Sequence, residues 1–420
     1  MTTPQRAGEL DRQVTELFAP RNAGQVGVEV ELIPVRGRPA RPVAVADTVS
    51  AIGAHDPALL ADACVTFEPG GQVELSPPPR PSLGEALAAL DGLIARLDGA
   101  LAAESMVAVS SGLNPWHGTA DVPLQLDAER YRLMQQHFDG IASAGREMMR
   151  LTASLQVCVD MADGDDGAEQ WLLANRMGPG LSAVFANSGV GARAATGWTS
   201  TRSHIWQRLD PARTGFDGAQ VSGDAPAAAY VDFAAAVAAL PLSRDSGRIQ
   251  LPAGTPFGEW AGGDALSPDG ATGRPDAGDV AHHLTTLFPP VRPRGYLEVR
   301  YLDAPPRRGM ALAVSVVAVL LQDAQARRAA LAALQDTDRG AWLELWEASA
   351  HQGVVNPWLR HEALALLDIA HDALRRIGHD ASARHLADFC DAYPRRRRTW
   401  SDDQVDRITG SDAEDATAWT

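Results

Sequence analysis

Gly27-Val-Glu-Val-Glu31, near the start of the chain, and Leu297-Glu-Val-Arg-Tyr-Leu-Asp303, far downstream, decide how the rest of the sequence is read. Each stretch reads as a β-strand, and successive side chains of a strand point to opposite faces. Glu29 and Glu31 therefore share one face, with Cα atoms roughly 7 Å apart, and Glu298 and Arg300 do the same. Carboxylates and a guanidinium on sheet faces suit a site for Mg²⁺ and ATP. Hard cations take oxygen ligands, and a transferring phosphoryl group is matched by arginine. The pattern points to an ATP-dependent enzyme rather than a binding module.

Further strands are expected at 26–35, 64–68, 72–76, 106–110, 150–160 and 295–302. Helices are expected at 5–19, 83–104, 129–139, 167–176 and 227–240, and then in an almost wholly helical run through 309–335, 339–350, 359–376 and 380–392. Strands drawn from distant parts of the chain without regular βαβ alternation imply an α+β fold with an antiparallel sheet. One catalytic domain over 1–400 is expected, with its sheet-bearing part at about 25–305 and its helical part at about 306–395. The acidic segment 401–420 reads as a flexible tail. Segments 207–226 and 262–278 lack periodicity and read as long loops.

Composition narrows the function. The chain has 420 residues, 45% hydrophobic and 21% charged, which fits a soluble globular protein with a large core. A formal net charge of −16 argues against nucleic acid as a partner. There is no lysine, so all 37 basic residues are arginine. Phosphate must then be gripped by arginine, and a P-loop, which requires lysine, is excluded. Cys64, Cys158 and Cys390 show no metal or redox spacing and read as reduced thiols. Residues 1–10 show no signal-peptide pattern. The apolar run Met310 to Leu321 is too short to span a bilayer and reads as a buried helix. A cytoplasmic protein with no membrane contact is expected. Arg395-Arg396-Arg397-Arg398 reads as a solvated face.

Two segments carry polar faces. From Met149 to Asp160 the residues alternate, with Arg150, Thr152, Ser154, Gln156 and Asp160 on one side and Leu151, Ala153, Leu155, Val157 and Val159 on the other. Side chains such as Gln156 and Ser154 suit the lining of a cavity better than an exposed strand. Phe67-Glu-Pro-Gly-Gly-Gln-Val-Glu-Leu-Ser76 reads as strand, tight turn, strand. It carries Glu68 at the end of the incoming strand and Gln72, Glu74 and Ser76 on one face of the outgoing one.

At these residues the chain resembles the glutamate–cysteine ligase family, in its plant and actinobacterial branch. The resemblance continues through Arg130-Tyr131 with Met134, Gly145-Arg-Glu-Met-Met-Arg-Leu-Thr-Ala-Ser-Leu-Gln156 and Phe185-Ala-Asn-Ser188. It extends to Ser203-His-Ile-Trp206, Asp210-Pro-Ala-Arg213, Pro256-Phe257 with Trp260, and His283-Leu-Thr-Thr-Leu-Phe-Pro289, covering about residues 25–305. The closest subtype resembles actinobacterial enzymes that supply γ-glutamylcysteine to ergothioneine synthesis.

The resemblance implies a glutamine-synthetase-like fold, a curved antiparallel sheet forming a funnel flanked by helices. It implies that ATP phosphorylates the side-chain carboxylate of L-glutamate and that the amine of L-cysteine then displaces phosphate. By resemblance, Glu29, Glu31, Glu74 and Glu298 hold Mg²⁺ ions on the ATP phosphates, with Glu31, Glu298 and Arg300 central to catalysis. Glu68 is a further ligand or positions the substrate ammonium. Arg292 and Arg150, with Thr152 and Gln156, bind glutamate. Arg300 stabilises the transferring phosphoryl group, and Arg202, Arg213 and His283 contact the nucleotide phosphates. Trp198, Trp206 and Trp260 wall the pocket. A monomer is expected, and the regulatory disulfides of the plant enzymes are not. Two other readings stay open: a ligase using a different amine, and a non-catalytic glutamate or nucleotide sensor.

Overall fold

Eight strands, all paired antiparallel, build the main sheet. They are β1 (Val26–Arg36), β2 (Arg41–Pro42), β3 (Val65–Phe67), β4 (Val73–Leu75), β5 (Met106–Val109), β6 (Ser154–Asp160), β7 (Val291–Pro293) and β8 (Tyr296–Asp303). The order across the sheet is β7-β8-β6-β1-β4-β3, and β2 and β5 lie along the C-terminal part of β1. This computed structural model describes residues 8–21, 24–61, 63–244, 247–249, 251–263, 274–334, 339–410 and 415–419.

Alternation along β1 divides the sheet into two chemistries. Val26, Val28, Val30 and Leu32 are buried on one face, where they join Leu155, Val157 and Val159 of β6, Val73 and Leu75 of β4, and Leu297 and Val299 of β8. That apolar face packs on the helix Arg307–Gln322, whose residues from Leu312 to Leu321 are all buried. Burial of this stripe against the sheet accounts for the apolar run. Among the described residues no single helix is long and apolar enough to cross a membrane. The opposite face of β1 carries Glu29 and Glu31, as alternation requires.

Several expectations change. The run 309–335 is two helices, Arg307–Gln322 and Ala324–Ala333, bent by 94°. Asp323 stands at the break and caps the second helix, its carboxylate accepting from the Ala326 N–H at 2.8 Å. The segment 207–226 is partly helical, through Thr201–Leu209, Pro211–Thr214 and the start of Pro226–Ala236. Residues 264–273 of the second aperiodic segment, and residues 5–7 of the first expected helix, lie outside the described residues.

The tail is the largest correction. Residues 400–408 form a helix, Trp400, Ser401 and Gln404 are buried in it, and Trp419 beyond it is buried as well. Gln404 donates to Ser111 Oγ (2.9 Å), to the Asn187 carbonyl (2.8 Å) and to Asn187 Oδ1 (2.9 Å), and accepts from the Gly189 N–H (3.0 Å). An acidic composition hid a segment whose few apolar and amide side chains are all turned inward. Arg395 and Arg398 are on the surface as expected, paired with Asp391 and with Asp403 and Asp406.

Candidate active site

Register brings the carboxylates together. Glu31 on β1 lies directly opposite Glu74 on β4, Glu29 lies opposite Gln156 on β6, and Glu298 on β8 lies opposite both Cys158 and Arg292. Two groups of ligand-type atoms result, each with all its atoms within 4.8 Å of one another: Glu31, Glu68 and Glu74, and Glu29, Cys158 and Glu298.

Glu68 joins the first group through its hairpin. The Gly71 N–H donates to the Glu68 carbonyl (2.8 Å) and the Glu68 N–H to the Gln72 carbonyl (2.9 Å), with Gly71 at φ +92°. A turn followed by a left-handed glycine forms a three-residue hairpin loop. Gly70 is needed for a different reason. A Cβ there would stand 2.2 Å from the Arg150 carbonyl oxygen, so only a bare backbone lets the turn approach the helix Ala144–Leu151.

The bonds accepted by the first group come from uncharged donors. Thr66 Oγ1 donates to Glu74 at 2.7 Å, and the Ser154 N–H and Gln156 Nε2 donate to Glu31 at 2.7 and 3.5 Å. Burial and the neighbouring carboxylates Glu31 and Glu74 push the Glu68 carboxyl up to about 8. Burial, then Glu298 and Glu74, raise Glu29 to about 7, and burial with Glu74 raises Glu31. Like charges on opposed sheet positions repel, so this arrangement asks for a cation. Three carboxylate donors suit a hard divalent ion such as Mg²⁺ or Mn²⁺.

Glu298 sits in the opposite field. It is fully buried, and its carboxylate accepts from Arg292 Nε (2.7 Å), Arg294 Nη1 (3.1 Å) and Arg300 Nη1 (2.9 Å). Burial would raise its carboxyl, but Arg292 and Arg300 outweigh burial and hold it well below the usual range. Arg300 Nη1 also donates to Gln156 Oε1 at 2.7 Å, so Gln156 bridges Arg300 and Glu31. The pairing of β8 with β6 slips by one residue between Val299 and Leu302, a bulge that contains Arg300. Bulges re-aim side chains and are over-represented next to active sites.

The other expected residues divide. Gln156, Arg292 and Glu68 lie with the carboxylates. Arg202 is brought beside Arg300: its Nη2 donates to the Arg300 carbonyl (2.8 Å), Nη1 is 4.0 Å from Asp303, and both arginines line one cavity with Trp206. Arg150 is a correction. Residues 144–151 are helical, so it does not share a strand face with Gln156, and its guanidinium donates to Gln135 and the Thr119 carbonyl. Thr152 directs its hydroxyl back to the Met148 carbonyl at 2.7 Å and supplies no polar lining.

Arg213 and His283 are also corrections. Arg213 is 0% exposed, with its nitrogens donated to Asp210, Thr286 and the Ala238 carbonyl, so it buttresses a turn and leaves nothing for a phosphate. His283 is buried, bonded to the Ala234 carbonyl (2.8 Å) and stacked on Phe257, and burial lowers its imidazole to about 3, which makes it a neutral core residue. Trp206 fits the walling role. Trp260 packs in the core against Phe257, and Trp198 stacks on His204.

Cys158 reads from sequence only as a reduced thiol and not as a site residue, although strand alternation places it on the face of Gln156. Its thiol is pushed well up by burial, Glu29 and Glu298, so it is held protonated. A second omission is the support under the end of β8. Asp303 accepts from the Asn187 N–H (2.8 Å), Ser188 Oγ (2.7 Å) and Ser200 Oγ (3.0 Å), fixing the strand that carries Glu298 and Arg300.

Comparison with known proteins agrees with this geometry. The chain is 36% identical over 351 residues to "Glutamate--cysteine ligase EgtA" of Mycolicibacterium smegmatis, covering 83% of this chain and 79% of that protein. It is 35% identical to the protein of the same name from Mycobacterium tuberculosis, over 73% of this chain and 69% of the relative. A chloroplastic glutamate–cysteine ligase of Medicago truncatula is 29% identical over 76% of this chain and 63% of its own length. Among solved structures, the glutamate–cysteine ligase of Francisella tularensis in complex with AMP superposes with a TM-score of 0.54 at 16% identity, over 93% of this chain and 89% of that one. That likeness concerns the fold. The model of glutamate-cysteine ligase family 2 (GCS2) matches residues 25–412, nearly the whole chain, and the protein belongs to that family.

Proposed function

We propose that the chain joins the γ-carboxylate of L-glutamate to the amine of L-cysteine at the expense of ATP, giving γ-glutamylcysteine, ADP and phosphate. One observation carries this reading: Glu31, Glu68 and Glu74 repel one another, burial and that repulsion raise the pKa of Glu31 and Glu68, and the group stands beside a guanidinium, Arg300, fixed two strands from Glu31. Glu31, Glu68 and Glu74 would hold Mg²⁺, which neutralises phosphate charge when bound. Glu29 and Glu298 border the same face. As a ligand, Glu298 would have to exchange its arginine partners.

The reaction needs two displacements. A γ-carboxylate oxygen of glutamate attacks the γ-phosphorus of ATP, and the bond to ADP breaks with its electron pair leaving on ADP. The cysteine amine then attacks the acyl phosphate carbon, phosphate leaves with its electron pair, and the nitrogen loses a proton. Arg300, held by Gln156 and Glu298, is placed to neutralise the transferring phosphoryl oxygens. Glu298 keeps the three arginines from repelling one another, which leaves Arg292 positioned for a substrate carboxylate. Gln156 and the Ser154 N–H fix Glu31.

The reading extends to a cytoplasmic enzyme whose product enters ergothioneine synthesis. It is supported by the three free cysteines and by the likeness to the mycobacterial relatives. The test is phosphate release from Mg²⁺–ATP with L-glutamate and a panel of amines, with products identified by mass. Release that requires both L-glutamate and L-cysteine and yields γ-glutamylcysteine is expected. A different preferred amine would replace the acceptor while keeping the chemistry, and no release with any amine would sink the ligase reading.

A further inference from the structure

The end of β8 away from the carboxylates borders a second recess. After Asp303 the chain passes through Pro305 and Pro306 into the helix Arg307–Gln322, and the first turn of that helix walls a cavity of about 220 Å³. The C-terminal segment, through Trp400, Arg407 and Trp419, forms the other wall. This cavity shares no residue with the carboxylate groups. Asp303 lies five residues beyond Glu298, roughly 17 Å along an extended strand.

The chemistry here is inverted relative to the acidic chain as a whole. Among the described residues, Arg307, Arg308 and Arg407 line the cavity with one carboxylate, Asp403. Asp403 is already shared by Arg308 (3.2 Å), Arg398 (3.1 Å) and the Tyr393 hydroxyl (2.6 Å). Arg307 donates through Nη2 to Asp98 (2.9 Å) and the Ala108 carbonyl (3.0 Å). Its Nε and Nη1 are shielded from solvent and meet no acceptor among the described residues. Trp419 is 3% exposed, and its indole Nε1–H has no acceptor either. Buried donors without acceptors are rare in folded proteins, and here three belong to two residues that line one cavity. The cavity also lies at the N-terminal end of a 16-residue helix, where backbone dipoles favour negative charge.

We propose that this cavity binds a small oxyanion, a carboxylate or phosphate group, between the Arg307 guanidinium and the Trp419 indole. The anion accepts a charge-assisted bond from one free edge of the guanidinium, and the indole N–H adds a second donor. The occupant ties the first turn of the helix to the C-terminal segment. That segment already grips Asn187 through Gln404, and the Asn187 amide holds Asp303 at the end of β8. The inference is independent of the ligase reading, because no step of that reaction uses these residues.

The test follows the indole N–H signals of isotope-labelled full-length protein, with that of Trp419 identified by its loss in Trp419→Phe. Inorganic phosphate and malonate are titrated separately. The Trp419 signal should move saturably with at least one of them, and the tighter anion tells whether a phosphoryl or a carboxyl group is preferred. Arg307→Lys keeps the charge but loses the fixed guanidinium N–H donors, and should weaken that binding by roughly tenfold or more. The Trp206 signal, beside Arg202, reports on the other recess, and its response should be the same in Arg307→Lys. A Trp419 signal that neither anion moves overturns the proposal. So does equal affinity in wild type and Arg307→Lys.

Discussion

Glu29, Glu31 and Glu68 give the metal-free protein an unusual dependence on pH. Glutamate in an unfolded chain titrates near about 4.3, whereas Glu29 is raised to about 7 and Glu68 to about 8 in the folded protein. Between those values the folded state holds more protons than the unfolded one, so stability falls as pH rises through the window. A divalent ion binds only the ionised carboxylates, so its stabilising effect grows over the same range. Thermal unfolding in chelator should show a lower melting temperature at about pH 8 than at about pH 5.5, with a larger Mg²⁺ increment at the higher pH. A melting temperature that climbs with pH in chelator contradicts the assignment. Substitution separates the two carboxylate environments. Glu31→Gln removes a repelling charge and should raise metal-free stability by up to about 1 kcal/mol while abolishing turnover. Glu298→Gln leaves buried arginines uncompensated and should cost about 3–5 kcal/mol. Equal effects of the two on the unfolding midpoint would show that the two environments do not differ as described.

The hairpin between β3 and β4 governs whether Glu68 reaches Glu31 and Glu74. Gly70→Ala puts a methyl group 2.2 Å from the Arg150 carbonyl, which neither backbone can relieve without moving. It should destabilise by about 1–3 kcal/mol and raise the Mg²⁺ concentration needed for half-maximal activity. Unchanged Mg²⁺ dependence would mean that Glu68 is not a ligand. Elements of this kind were the most legible part of the sequence. Period-two alternation located β1, β4 and β8, and Pro-Gly-Gly located the turn, because both signals are local. The misreadings came where tertiary contacts decide. Residues 149–153 alternate as well as the strand that follows, yet Arg146, Glu147, Met148 and Met149 are good helix formers, and the helix won up to Leu151. Arg213 and His283 sit among motif residues, but only the folded chain shows their donors turned to Thr286 and to the Ala234 carbonyl. Cys158 was readable from the same alternation, but its wide spacing from Cys64 and Cys390 led it to be read only as a reduced thiol.

At the scale of the whole molecule, the C-terminal segment is a structural part and not an appendage. Gln404→Ala leaves Asn187 and the Gly189 N–H without their buried partners. It should cost about 2–3 kcal/mol, read as a shift in the denaturant midpoint. A change within about 0.5 kcal/mol, usual for an exposed position, would restore the flexible tail. The acidic composition of 401–420 concealed this role, since Gln404 stands among charged residues, Trp419 follows small ones, and only the folded chain shows them clamped on Ser111 and Trp116. The clamp also sets an order of events during translation. β8 leaves the ribosome more than 250 residues after β1, and Gln404 can close on Asn187 only about 100 residues after β8. At about 5–20 residues per second, the central strand waits roughly 20–70 s for the last helix. Until β8 and the helix Arg307–Gln322 have emerged the nascent chain exposes the apolar face of the sheet, so chaperone demand falls on the unfinished polypeptide, and a chain that stops before Gln404 carries every carboxylate of the site and no latch.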